Sequence, residues 1–183
     1  MTAQGTEERK ALAREIDRIA RLRGTFRLRS GAVSETYFDK YRFESDPTLL
    51  RRIAEVMMPL VPDDTEILLG LEMGGIPVAT VLSQLTGLPA GFVRKKAKEH
   101  GTCRYAEGPD LAGRRCVFVE DVVSSGGAVL EAARKLEADG VPVATALCVI
   151  DRETGGQEAL EGHGIELRAL LTMGELEQAR ADR

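Results

Sequence analysis

From Pro62 onward the chain repeats one order: a short apolar run, a loop, and a stretch of helical period. The runs at residues 66–70, 90–94, 115–121, 143–151 and 165–171 are short and apolar on both faces, the pattern of parallel strands covered by helices on each side. Residues 76–85 and 127–138 read as helices between them. The architecture expected is therefore α/β, an open, mostly parallel sheet flanked by helices. Ligands of such sheets sit beyond the carboxyl ends of strands, which directs attention to the loops after Gly70, Arg94, Asp121 and Asp151.

Upstream, Thr6 followed by Glu7, Glu8, Leu12, Ile16 and Ile19 reads as a capped amphipathic helix closed by Gly24. From Thr25 to Phe43 the pattern becomes an alternation broken at Ser30-Gly31, which predicts a strand, a turn and a second strand. Asp46-Pro47 opens a further helix with Leu50, Ile53, Met57 and Leu60 on one face. The final residues, 179–183, read as a frayed end.

The chain's 183 residues, 43% of them hydrophobic and 30% charged, suit one soluble domain rather than a disordered or fibrous chain. A domain of this size removes roughly 70% of its unfolded surface from water, enough to stand without disulfides or a structural metal. With 25 Lys plus Arg against 29 Asp plus Glu, the chain is not built to coat nucleic acid or an acidic membrane, so any anion site must be local. The three cysteines, Cys103, Cys116 and Cys148, are odd in number and lack CxxC spacing, which fits a reducing compartment. The longest apolar run, 141–150, is too short to span a bilayer, and the expected location is the cytoplasm.

The stretch Glu120-Asp121-Val122-Val123-Ser124-Ser125-Gly126-Gly127-Ala128 carries the most chemistry. Adjacent carboxylates at a strand end can accept hydrogen bonds from a vicinal diol. The small-residue turn leads bare backbone N–H groups to the positive end of a helix, where an anion is favoured. Together they suit a sugar phosphate, although such a turn is also a common strand-to-helix connection. Neither GxxxxGK[ST] nor GxGxxG occurs in the chain. The segment resembles the phosphoribosyl pyrophosphate motif of the type I phosphoribosyltransferases. That resemblance implies that Glu120 and Asp121 hold the ribose hydroxyls and that Ser124, Ser125, Gly126, Gly127 and Ala128, with Val122 and Val123 leading in, surround the 5′-phosphate. Ala128 stands where many members carry Ser or Thr.

Arg94-Lys95-Lys96-Ala97-Lys98-Glu99-His100-Gly101 sets five cationic or potentially cationic side chains just past a strand end. A solvated charge run is one reading; the other is a polyphosphate, which would relieve the repulsion. Arg offers a two-pronged contact, Lys a mobile charge, and His100 a proton or hydrogen bond for departing pyrophosphate near neutral pH. The octet resembles the catalytic loop of the orotate phosphoribosyltransferase family, with Arg94, Lys95, Lys98, His100 and Gly101 in register. The resemblance implies that Lys98 and His100 are catalytic, and that the chain is a homodimer whose loop closes over the neighbouring subunit's site. A thiol-protease reading of His100 and Cys103 lacks an orienting partner.

The glycines of Gly70-Leu71-Glu72-Met73-Gly74-Gly75-Ile76-Pro77 suit a strand-to-helix turn, which is either a plain connection or a place where backbone amides face an anion. By the resemblance, Met73, Gly74 and Gly75 meet pyrophosphate. Many members carry Lys at the position of Gly74, leaving main-chain groups and loop cations to hold the anion. Arg152, in Asp151-Arg152-Glu153-Thr154-Gly155, can grip a carboxylate or form a surface ion pair. The resemblance makes that carboxylate orotate's. It also implies that Ser124, Arg29 and the aromatic pair Tyr37 and Phe38 lie near the base, although core packing alone could account for the aromatics. His163, between two glycines, matches nothing and reads as an exposed loop residue.

The matches run in consistent order from Leu28 to Leu171. They imply a single domain, with a helix and hood over about 1–45, an α/β core over about 46–172 and a tail over 173–183. The implied reaction is Mg²⁺-dependent transfer of ribose 5-phosphate from phosphoribosyl pyrophosphate to orotate, a step of pyrimidine synthesis. No direct protein ligand to Mg²⁺ is expected, because substrate oxygens hold it. Two alternatives stay open: a phosphoribosyltransferase for another base, which needs no grip at Arg152, and a non-catalytic regulator, which should lack the basic loop or carry a nucleic-acid-binding domain.

Overall fold

The structure, a computed structural model, describes residues 3–27, 31–97 and 104–181. Its centre is a six-stranded sheet in the order β5-β4-β3-β6-β7-β8. The strands are β3 (Ile67–Leu71), β4 (Ala90–Val93), β5 (Ala106–Glu107), β6 (Cys116–Val123), β7 (Thr145–Asp151) and β8 (Glu166–Thr172). All neighbours pair in parallel except β5, which runs antiparallel along the edge of β4. The mostly parallel sheet expected from the apolar runs is the one found.

Alternate residues of each strand enter different layers, because successive side chains point to opposite faces. Leu68, Val117, Val119 and Leu147 pack with helices α1 (Ala3–Ala20), α3 (Pro47–Met57), α4 (Gly75–Thr86) and α7 (Met173–Ala181). Ile67, Leu69, Phe118 and Cys148 pack with α5 (Gly127–Ala138) and α6 (Gly156–Glu161). Removing both sheet faces from water is the main drive for this arrangement. Asp46 caps α3, accepting from the amides of Thr48 and Leu49 at 3.0 Å each, with Pro47 at the first helical position.

Several expectations change. Helix α1 begins ahead of Thr6, and Gly24 lies inside β1 (Arg21–Arg27), which pairs antiparallel with β2 (Val33–Phe38). Tyr41 and Phe43 are not in a strand but in the short helix α2 (Tyr41–Glu44), with Phe43 buried. Residues 37, 41 and 43 fit both periods, and burial of Phe43 against the α-helical layer decides for the helix. The end of the chain is not frayed over 179–181. There α7 buries Leu176 and Ala179, and Arg9 of α1 grips Glu175 through two hydrogen bonds of 3.0 and 2.8 Å. Thr172 and Glu175 cap its start reciprocally: Oγ1 of Thr172 accepts from the Glu175 amide at 3.2 Å, and the Glu175 carboxylate accepts from the Thr172 amide at 2.7 Å.

Helix α4 sits so close to β6 that its first residue cannot carry a side chain. A Cβ on Gly75 would lie 2.1 Å from the backbone oxygen of Val119. Gly75→Ala is therefore expected to cost at least about 3 kcal/mol, the upper part of the overpacking range, because a backbone and not a flexible side chain must move. Asp46→Ala removes only a cap and should cost about 1 kcal/mol. Denaturant titration of both variants checks the order.

Candidate active site

The chain leaves β3 toward β4 on one side, while β6 flanks β3 on the other and leads away to β7 and β8. Where the strand order reverses, the loops beyond β3 and β6 part to opposite faces and leave a crevice at the carboxyl edge. The loops after β3, β4, β6 and β7 all open at this edge, as expected from the strand pattern. Glu72 donates its amide to Val93 O at 2.8 Å, and Arg152 donates its amide to Val123 O at 2.9 Å, so neighbouring loops brace one another.

The acids do not end their strand: β6 continues through Val122 and Val123. Asp121 is 0% exposed and Glu120 7%. Lys40, just before α2, places Nζ 3.0 Å from Asp121 Oδ1 in a hydrogen bond and 2.7 Å from Oδ2 in an ion-pair contact. Oδ1 also accepts from the Val122 amide at 2.6 Å, while Glu120 Oε1 accepts from the Asp121 amide at 3.0 Å. Glu44 of α2, itself buried, joins from the same side as Lys40.

Three carboxyls around one ammonium do not all ionise. Burial, and then hydrogen bonding to Asp121, pushes Glu44 up to about 9. The same two causes hold Glu120 well above the usual carboxylate range. Burial alone would raise Asp121 too, but hydrogen bonds from Glu44, Glu120 and Lys40 keep it below its ordinary value. Burial would lower Lys40, and its hydrogen bond to Asp121 together with the charge of Asp121 and the neighbouring Glu120 and Tyr41 more than offsets this. Near neutral pH the cluster thus holds the charged pair Lys40 and Asp121 with Glu44 protonated, while Glu120 is shifted toward its neutral form. Lys40 and Glu44 were missed from the sequence, where their only signal is a four-residue spacing beside an aromatic pair.

Beyond Val123, Ser124 and Ser125 form the turn, and Gly126 (φ +73°) starts α5. A side chain at Gly126 would be strained by that φ and would also press within 3.2 Å of Gly156 O and Leu160 Cγ. Gly127 and Ala128 are exposed at the first turn of α5, whose N-terminus faces the crevice edge with its unpaired amides. Gly74 and Gly75 have ordinary backbone angles at their turn, and what requires them is the close passage of β6. Met73 is exposed beside them.

Arg94 and Lys95 line a cavity of about 450 Å³ together with Glu72, Tyr105, Ala128 and Glu131. The Lys95 amide donates to Glu72 at 3.2 Å, and Lys135 of α5 reaches Lys95 O at 3.2 Å while lying 4.4 Å over the Tyr105 ring. Lys98, His100, Gly101 and Cys103 of this loop, and Arg29 of the hood, lie outside the described residues. Arg152 is exposed after β7 and has no side-chain partner among the described residues. The aromatic pair is split. Tyr37 stacks near Phe26 with ring centroids 5.5 Å apart, while Phe38 packs against the α-helical layer. Consecutive strand residues point to opposite faces, which gives the two rings different surroundings. His163 is exposed and bonds only locally, through Nδ1 to Ala159 O at 2.8 Å.

Comparison with known proteins places this geometry in context. Residues 44–162 match the family described as Phosphoribosyl transferase domain. The chain is similar to the orotate phosphoribosyltransferase of Nocardioides sp., 54% identical over 92% of this chain and 94% of that one. It is also similar to that of Halobacterium salinarum, 41% identical over 84% and 87%. A solved orotate phosphoribosyltransferase from Mycobacterium tuberculosis in complex with inorganic phosphate overlays with a TM-score of 0.83 at 30% identity, covering 93% of this chain and 99% of that one. An adenine phosphoribosyltransferase from Thermoanaerobacter pseudethanolicus shares the fold, with a TM-score of 0.67 at 18% identity over 88% and 99%.

The acid cluster makes stability depend on pH with a definite sign. Glu44 is raised from 4.5 to about 9, so the folded chain binds an extra proton across that window. Stability therefore falls as pH rises from 4.5 and levels off above about 9. Glu44→Gln, which cannot ionise, should flatten this slope. Denaturant titrations across the window check it, and an equal slope in both proteins would contradict the assignment of the proton.

Proposed function

The chain belongs to the orotate phosphoribosyltransferase family, and from that premise we propose which of its residues carry the family's reaction. The reaction transfers ribose 5-phosphate from phosphoribosyl pyrophosphate to orotate, giving orotidine 5′-monophosphate and pyrophosphate. The observation that carries the residue assignment is the junction of Asp121, the turn at 124–126 and the start of α5 at the reversal point of the sheet.

In this reading the 5′-phosphate sits on the amides of the turn and the first turn of α5, with the Ser124 and Ser125 hydroxyls as further donors. Asp121 and Glu120 take the ribose hydroxyls. Pyrophosphate lies over Met73, Gly74 and Gly75 and meets Arg94 and Lys95. Orotate's carboxylate is gripped by Arg152, whose guanidinium has no competing partner among the described residues. Tyr37 and Arg29 approach the base from the hood. Phe38, partly buried against the α-helical layer, supports the hood.

Breaking the C1–O bond leaves positive charge on the sugar and negative charge on pyrophosphate. Preorganised donors lower that barrier most where water is excluded. Lys98 and His100 do this from the basic loop, His100 as a proton or hydrogen-bond donor to the departing pyrophosphate. Among the described residues no group of three or more acids, histidines or cysteines is placed to hold a metal. Mg²⁺ in this reading is held by substrate oxygens and water. When bound, Mg²⁺ neutralises pyrophosphate charge. The active form is a homodimer with the basic loop shared between subunits, and its place is the cytoplasm. No helix among the described residues is long and apolar enough to cross a membrane.

Mixing the protein with phosphoribosyl pyrophosphate, Mg²⁺ and orotate should deplete orotate absorbance, while uracil, adenine and hypoxanthine should give no product. Consumption of another base in place of orotate would overturn the base assignment. Lys98→Ala and His100→Ala should each lower turnover by about 10²- to 10³-fold. Wild-type turnover in either variant would remove the loop from the mechanism.

A further inference from the structure

We propose that Lys40 and Glu44 are positioning residues for Asp121: together they hold its carboxyl as a single charged acceptor toward the sugar, Glu44 by donating its own carboxyl proton. This rests on reading the crevice as the phosphoribosyl site.

Two poorly satisfied buried oxygens lead to it. Glu44 Oε1 and Asp121 Oδ2 are both removed from water, and neither is in a well-aligned hydrogen bond among the described residues, Oδ2 having only the ion-pair contact with Lys40 Nζ at 2.7 Å. Both lie against the bare Cα of Gly74. A Cβ there would fall 1.7 Å from Asp121 Oδ2 and 2.9 Å from Glu44 Oε1. Two ionised carboxylate oxygens in such a place would repel and stay unsatisfied, at a cost of several kcal/mol. One proton between them turns the repulsion into a charge-assisted hydrogen bond. The proton belongs to Glu44, because Asp121 also receives the Lys40 ammonium and the Val122 amide and is the better stabilised anion.

Gly74 makes this arrangement possible and restricts it. No side chain fits at 74 without displacing Asp121, so a cation for this part of the site cannot come from that loop. It comes from Lys40, about a third exposed and therefore reaching from the protein interior to the open crevice. The groups facing Asp121 are Lys40 and Glu44 from the α2 side and Glu120 from its own strand. Because Lys40 and Glu44 touch Asp121 and not the reacting atoms, their loss should act through sugar binding.

Steady-state kinetics with phosphoribosyl pyrophosphate, Mg²⁺ and orotate on the intact protein test this. An inactive wild type would overturn the family reading on which the inference rests. With an active wild type, Lys40→Met should raise KM for phosphoribosyl pyrophosphate by about tenfold or more, the loss expected for a hydrogen bond to a charged group, and leave KM for orotate unchanged. Lys40→Arg should recover part of that loss. The wild type should show an alkaline fall in kcat/KM near pH 9, and Glu44→Gln should keep the contact, since its amide donates to the same oxygen, but abolish that fall. Glu44→Ala should lose affinity for the sugar at all pH values. Should Glu44→Ala fail to fold, the isosteric Glu44→Gln profile decides alone. An unchanged KM for phosphoribosyl pyrophosphate in Lys40→Met, or a wild-type alkaline limb in Glu44→Gln, would overturn the inference.

Discussion

Asp121 is a charged side chain with no exposed surface, set on the second strand of a crevice whose other wall is a glycine with no room for a Cβ. Burying a carboxylate this completely is tolerated only when donors surround it. Here they come from three places: the Lys40 ammonium, the Val122 amide and the carboxyl groups of Glu44 and Glu120 beside it. The close passage of α4 over β6 at Gly74 and Gly75, the position of α2, and the direction in which β6 delivers its loop are all tied to that one group. A buried anion held by so many elements has its position fixed by the fold.

The remainder of the site divides by charge. On one side of the crevice a helix start and a glycine turn offer uncharged amides, suited to a phosphate that keeps its charge throughout. On the other, Arg94 and Lys95 border a cavity that also contains Glu72 and Glu131, suited to a group whose charge changes during reaction. Lys135 binds both the start of the basic loop, at Lys95 O, and its end, at the Tyr105 ring, so α5 anchors the two ends of the loop while its own N-terminus meets the phosphate.

Much of the fold was legible in the sequence because the strands are buried on both faces and carry nearly unbroken apolar runs. Asp46-Pro47 announced α3, and the acids with the small-residue turn marked the site. What escaped notice depended on tertiary contact. Helix α2 is one turn long and its residues fit two periods, so only the burial of Phe43 settles it. Helix α7 did carry a local signal, the reciprocal Thr172 and Glu175 cap, overlooked in a polar segment. The close passage of β6 that Gly74 and Gly75 accommodate involves a strand distant in sequence, which no local pattern shows. The upward shifts of Glu44 and Glu120 come from burial and from hydrogen bonding to Asp121, an environment that exists only when α2 and β6 meet.

Calorimetric titration with phosphoribosyl pyrophosphate and Mg²⁺ tests the central claim, that a buried acid beside a helix start captures an activated sugar phosphate. The wild type should give a saturable heat, and Asp121→Asn, which keeps shape but loses the charge, should weaken binding by about tenfold or more. No heat with the wild type, or the same affinity in Asp121→Asn, would contradict the account.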